Sequence, residues 1–129
     1  MVNYRQLIGR RWQYGVSDCY TLLRDFYGLM GIALPDFERP DDLARSHSVF
    51  LRHAAELGFR QIEMSDGKFG DVLVMRLGTR APNHAASYVG DMQILHQRQD
   101  MLSGVDTLCP YYVGRISAVF RHAPDCSAA

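Results

Sequence analysis

The chain has no surplus of either charge. Its 129 residues carry 14 lysines and arginines against 14 aspartates and glutamates, a formal net charge of +0. A neutral chain exerts no long-range pull on phosphate backbones or anionic lipid, so no nucleic-acid partner is expected. No apolar run approaches the roughly 20 residues that cross a bilayer, so no membrane insertion is expected either. The opening MVNYRQLIGRRW lacks the apolar stretch of a signal peptide, which predicts that nothing here directs export. Cysteine is sparse: Cys19, Cys109 and Cys126 are an odd, widely spaced set, which argues against a disulfide framework and against paired CxxC zinc knuckles. Repeats, low-complexity stretches and a Pro/Gly/Ser linker are also missing, and the length suits one domain.

What is present is the composition of a packed domain, 47% apolar and 22% charged. Residues 3–12 place Tyr4, Leu7, Ile8 and Arg11 at helical spacing and predict a short amphipathic helix. A clearer helix begins at Ser17 or Asp18, either of them a good N-cap, and stops near Gly31. Within it Cys19, Leu22, Leu23, Phe26 and Met30 form one apolar stripe, which puts Cys19 in the first turn and on the side facing the body of the protein. The segment IALPDFERP is broken by Pro35 and Pro40. Residues 41–57 predict a second helix, with Leu43, Phe50, Leu51, Ala54 and Leu57 inward and Gly58 as its end.

After Gly58 the periodicity shortens to that of strands. FRQIEM (59–64) alternates, and VLVM (72–75) is a continuous apolar run. HAASYVG (84–90) and QILHQR (93–98) flank a Gly-Asp turn and predict a hairpin, and VGRISAVFRH (113–122) alternates again. Helices first and strands after, with no crossover helices between the strands, predict an α+β domain built on an antiparallel sheet. The small, polar residues 123–129 are expected to be a loose tail with an inert Cys126, leaving one domain over residues 1–122.

A thiol becomes a useful nucleophile when its thiolate is stabilised, and a helix N-terminus does that. Of the three cysteines only Cys19 sits at a predicted helix start. A base must face it. His84 and His96 lie on the two arms of the predicted hairpin, an even number of residues apart. They share a face if the connecting loop has an odd number of residues or a bulge. Cys–His–His is then a nucleophile, a base and a group that orients the base. His47, His53 and His122 have no such setting. The competing chemistry is a zinc site from Cys19, His84 and His96, but no short-spaced ligand pair and no HExxH supports it. Asp71 reads as a loop-closing residue, Asp18 as a cap and Cys109 as packing. Asn83, beside His84, is a candidate substrate contact with a turn role as its alternative.

Taken in order, YGVSDCYTLLRDFY, GIALPDF, GDVLVM, NHAASYVGD, ILHQ and a last strand ending in RH resemble the NlpC/P60 papain-like cysteine peptidases. The likeness is greatest to the version in tail tip assembly proteins of long-tailed phages, and it runs from Trp12 to His122. It implies a papain-like fold in which the nucleophile helix packs on an antiparallel sheet. Cys19 takes the nucleophile position, His84 the general-base position and His96 the orienting position. Tyr14 is the nearest match to a tyrosine that hydrogen-bonds at the family's active site, although it lies closer to the cysteine than usual. Tyr20 stands where the broader family has the serine of DCSG. The implied substrate is a stem or cross-link peptide of peptidoglycan, cut at an amide bond without metal or organic cofactor. Other tail tip proteins are the implied partners, in the host cytoplasm during tail assembly and at the virion tail tip. The alternatives are a catalytically silent structural component of a tail tip, and amidase or acyl-transfer chemistry on the same residues.

Overall fold

The computed structural model describes residues 2–41 and 48–123. Leu43, His47, Cys126 and the tail beyond residue 123 lie outside the described residues.

The helix expected after Ser17 is α1 (Cys19–Leu29), and Asp18 is its cap. The Asp18 carboxylate accepts the N–H of Thr21 at 3.1 Å, and the Thr21 hydroxyl accepts the N–H of Asp18 at 2.6 Å. This reciprocal box satisfies two backbone donors that a helix start otherwise leaves open. At the other end Gly31 turns the chain with φ +82°, a left-handed conformation that glycine adopts without strain. Leu22, Leu23 and Phe26 are buried, as the apolar stripe requires, and Met30 packs at the edge of the same cluster. Tyr20 and Tyr27 are buried as well, because their hydroxyls find acceptors in the carbonyls of Pro35 and Gly70.

The first expected helix is much shorter, and the second is described only in part. Among residues 3–12 only Arg5–Leu7 winds, as a 3-10 turn, and Gly9 at φ +89° ends any continuation. In the described part of 41–57 the helix is α2 (Val49–His53), capped by the Ser48 hydroxyl, which accepts the N–H of Leu51 at 3.0 Å.

Among the described residues six strands form one sheet: β1 (Phe59–Ile62), β2 (Val72–Met75), β3 (His84–Tyr88), β4 (Gln93–His96), β5 (Gly104–Thr107) and β6 (Ile116–His122). Their order is β1-β6-β2-β3-β4-β5 and every neighbouring pair is antiparallel. Strand β5 and a one-turn helix α3 (Pro110–Val113) were not foreseen. The last strand starts at Ile116 instead of residue 113, because Pro110 at the first helical position and Gly114 at the end enclose that turn.

The register decides what each face holds. Val72, Val74, Ala85 and Leu95 face α1 and join its core, with Phe26 at the centre among Tyr4, Tyr27 and Phe69. Leu73, Met75, Ala86 and Ile94 face the other way, under Leu108 and Tyr112. His84 pairs with Met75 in register, so it belongs to this second face. Both faces of β2, β3 and β4 are therefore covered, which is why VLVM reads as a continuous apolar run.

Candidate active site

Pairing between β3 and β4 puts Ser87 opposite Leu95 and Tyr88 opposite Ile94. The N–H of Val89 then meets the carbonyl of Gln93 at 3.0 Å, which leaves Gly90, Asp91 and Met92 as the loop. All three have positive φ, at 85°, 52° and 57°. The odd loop required by the two even-numbered histidines is present. His84 and His96 share a face, and His84 Nε2 lies 2.9 Å from His96 Nδ1.

Beyond His96 stands a carboxylate that the sequence reading did not select. His96 Nε2 lies 2.6 Å from Asp106 Oδ2, and the Tyr112 hydroxyl donates to the same oxygen at 3.2 Å. Asp106 sits on β5, in a segment without clear alternation. The signal that could have found it is the β-branched Val105 beside Asp106, shortly after the turn at Arg98–Met101.

Cys19 is the first residue of α1 and is half-buried. The backbone N–H groups of Ala85 and Tyr20 favour its thiolate. Ala85 directly follows His84, so the thiol is set against the start of β3. Cys19, His84, Tyr14 and Asn83 all line one cleft of about 250 Å³ where α1 begins and β3 starts. His84 Nε2 is turned to His96, so Nδ1 is the nitrogen left for the thiol. No hydrogen bond joins Cys19 Sγ to the His84 ring among the described residues.

The electrostatics depart from the expectation of a lowered thiol pKa. Burial pushes the Cys19 thiol up to about 11, the Asp18 carboxylate adds to the rise, and the N–H of Ala85 opposes it. Burial also drives His84 well below the ordinary imidazole value, with His96 and Arg98 pressing in the same direction. His96 is lowered by burial, against the pull of Asp106. The resting pair is thus neutral thiol and neutral imidazole. Desolvation by the surrounding cleft wall outweighs the helix terminus here, although Cys19 remains only half-buried.

Asp18 does more than cap. Burial would raise its carboxyl, but the Arg39 guanidinium and the N–H groups of Thr21 and Gly15 together hold it below the ordinary value. Arg39 grips it at two points, Nε to Oδ2 at 2.8 Å and Nη2 to Oδ1 at 3.1 Å. The N–H of Cys19, at the first position of α1, takes no part in the capping box.

Tyr14 lines the cleft, but its hydroxyl is committed to the Pro40 carbonyl at 2.6 Å and its ring stacks on Trp12. Asn83 spends its amide on the backbone of Leu77, accepting at 3.2 Å and donating at 3.4 Å, and so closes the loop that delivers His84. Asp71 closes a loop at Lys68 and pairs with Arg121 at 2.8 Å, and Cys109 packs beside α3. No three His, Cys, Asp or Glu side chains converge as a metal site among the described residues.

Residues 9–121 match the NlpC/P60 family. The chain belongs to the NlpC/P60 family. It is similar to tail tip assembly protein K of Escherichia phage lambda, 41% identical over 117 residues that cover 90% of this chain and 59% of that protein. The chain thus spans only part of the length of this relative. Among solved structures, a lipoprotein-like NLP/P60 protein of Staphylococcus aureus matches with a TM-score of 0.64, at 19% identity over 93% of this chain and 39% of that one. The peptidoglycan hydrolase RipB of Mycobacterium tuberculosis matches with a TM-score of 0.60, at 17% identity over 93% of this chain and 61% of that one. These likenesses establish the NlpC/P60 fold for the α+β domain. No helix among the described residues is long and apolar enough to cross a membrane.

Proposed function

We propose that this NlpC/P60 domain is a cysteine peptidase that cuts an amide bond in peptidoglycan stem or cross-link peptides, as part of a phage tail tip. The observation that carries the reading is the line from a capped helix start to a paired imidazole. Cys19 opens onto the cleft, and His84 shares it while its far nitrogen is bonded to His96. The substrate class and the setting rest on the relatives, one a tail tip assembly protein and one a peptidoglycan hydrolase. The partners are then other tail proteins, met in the host cytoplasm during assembly.

The chemistry starts from neutral groups. Substrate entering the cleft brings its carbonyl carbon to Cys19 Sγ. As the C–S bond forms, the thiol proton passes to His84 Nδ1 and the carbonyl pair moves onto oxygen. The N–H of Cys19 donates to that oxyanion. Collapse breaks the C–N bond, and His84 returns the proton to the leaving amine. Water activated by His84 then attacks the acyl-thioenzyme and frees Cys19. His96 holds the ring that shuttles the proton.

One observation favours the silent tail component as a second reading: no hydrogen bond joins the thiol to His84 among the described residues, while burial raises the thiol's pKa. Digestion of purified peptidoglycan, with mass analysis of the released fragments, separates the two. New peptide ends with the wild type and none with Cys19→Ala support the peptidase. Identical fragments from both, or none from either, overturn it. Loss of cleavage with a chelator would point instead to metal chemistry.

A further inference from the structure

We infer that Asp106 is a positioning residue that selects the proton pattern of the two histidines and so leaves His84 Nδ1 free to act as a base. The inference rests on the peptidase reading for its kinetic consequence, but its structural part can be read without substrate.

Two neutral imidazoles that meet nitrogen to nitrogen hold one proton between them, and two patterns are possible. In the first, His84 carries its proton on Nε2 and donates to His96 Nδ1, while His96 carries its own on Nε2. His84 Nδ1 is then a lone pair, available to the thiol. In the second, His96 carries its proton on Nδ1 and donates to His84 Nε2. His84 then holds its proton on Nδ1, where it cannot accept one, and His96 Nε2 is left as a lone pair.

Asp106 decides between them. Its Oδ2 stands 2.6 Å from His96 Nε2, and an ionised carboxylate only accepts. The first pattern gives that contact a donor. The second sets a lone pair against a carboxylate oxygen at hydrogen-bond distance, which is repulsive. The Tyr112 hydroxyl donates to the same oxygen and fixes it under His96, with the Tyr112 ring packed edge-on to the imidazole at 5.3 Å. The Asp106 carboxyl is held below the ordinary carboxylate value, first by its hydrogen bond to His96. The carboxylate also faces the positive charge that appears on His84 during attack. The groups around this line are His84 on β3, His96 on β4, Asp106 on β5, Tyr112 on α3 and Arg98 just after β4. Arg98 opposes that charge.

The test uses the full chain and combines long-range 15N–1H correlation of the histidine rings with peptidoglycan digestion kinetics. The wild type is expected to show both His84 and His96 protonated on Nε2. Asp106→Ala should move a measurable share of both rings to Nδ1–H and lower kcat about 10- to 100-fold with KM nearly unchanged. The acidic limb of its pH profile should shift to lower pH, because the imidazolium has lost a nearby negative charge. Asp106→Glu should restore the wild-type tautomers and most of kcat. Unchanged tautomers and kcat in Asp106→Ala, or no recovery in Asp106→Glu, overturn the inference. Should Asp106→Ala not fold, Asp106→Asn serves: its carboxamide satisfies either pattern, so a single unmixed tautomer would overturn it equally. If wild-type protein cleaves nothing yet shows the Nε2–H pattern that Asp106→Ala breaks, the positioning role stands and the peptidase reading falls.

Discussion

Arg39 and Asp18 form a two-point ion pair immediately before the candidate nucleophile, with Arg39 Nε 2.8 Å from Asp18 Oδ2 and both side chains almost fully buried. The same carboxylate caps α1 and accepts the N–H of Gly15 at 2.9 Å. One residue thus fixes the helix start, the turn before it and the loop that carries Arg39. That loop is further tied by Tyr20 to Pro35 and by Tyr14 to Pro40. Cys19 is held by its neighbours more than by its own contacts.

Asp18→Ala removes both the cap and the partner of a buried guanidinium. Breaking a buried pair from one side costs about 3–5 kcal/mol, well above the ~1 kcal/mol of a cap alone. Urea denaturation should show a loss in that range. Arg39→Met should cost less, since Asp18 keeps its three N–H and hydroxyl donors. A loss under 1 kcal/mol for Asp18→Ala would mean that the pair contributes nothing net.

Cys19→Ala should abolish hydrolysis, and His84→Ala should lower kcat by about 10²- to 10⁴-fold, the usual contribution of a positioned general base. His96→Ala removes orientation only and should retain more activity than His84→Ala. None should unfold the domain, because the core of α1 is carried by Leu22, Leu23 and Phe26. Equal losses for His84→Ala and His96→Ala would show that the two rings act as one unit.

The thiol raised to about 11 gives a distinct reactivity profile. Thiolate is the reacting species, and below the thiol pKa its fraction grows about tenfold per pH unit. Iodoacetamide labelling of Cys19, followed by mass spectrometry, should accelerate steadily from pH 6 to pH 9. A plateau in that range would instead reveal a preformed thiolate–imidazolium pair.

Stability should fall on acidification, and the sign follows from the histidines. Both are lowered on folding, burial being the main cause. Below the ordinary value of 6.5 the unfolded chain takes up protons that the folded chain refuses, so acid favours unfolding. Each histidine contributes at most about 1.4 kcal/mol per pH unit in that window, and nothing above pH 7.5. Urea midpoints at pH 7.5, 6.5 and 5.5 should decline, and less steeply for His84→Gln. A midpoint that rises toward pH 5.5 would contradict both assignments.

The parts of the fold that sequence made legible are those set by local chemistry. Asp18, the apolar stripe of α1 and VLVM each announce their element, and parity put His84 and His96 on one face only on condition of an odd loop or a bulge. Several features were not legible, among them the following. Strand β5 is short and lies at the sheet edge, half exposed, so GVDT carries no burial pattern, and Asp106 was missed with it. The insertion of β6 between β1 and β2 is a long-range pairing that no local residue encodes. The pKa of Cys19 depends on how far the assembled cleft removes it from water, which a helix start alone does not reveal.

The loop between β3 and β4 supplies the last prediction. Ile94 and Leu95 are both fully buried, on opposite faces of the sheet. A one-residue slip of β4 would exchange them without exposing either, so hydrophobic pattern alone pins the register weakly. The three-residue loop Gly90–Asp91–Met92 pins it instead, and its positive φ angles at Asp91 and Met92 are conformations that most residues avoid. Deleting Gln93, the first residue of β4, while that loop is kept shifts β4 by one place. His96 then turns to the α1 face and loses His84 and Asp106 together. The expected variant is folded, with a lowered Tm, an uncoupled His84 ring by NMR, and activity no higher than that of His96→Ala. Wild-type activity in the deletion variant would mean that the loop shortens to restore the old register, and that it does not set it.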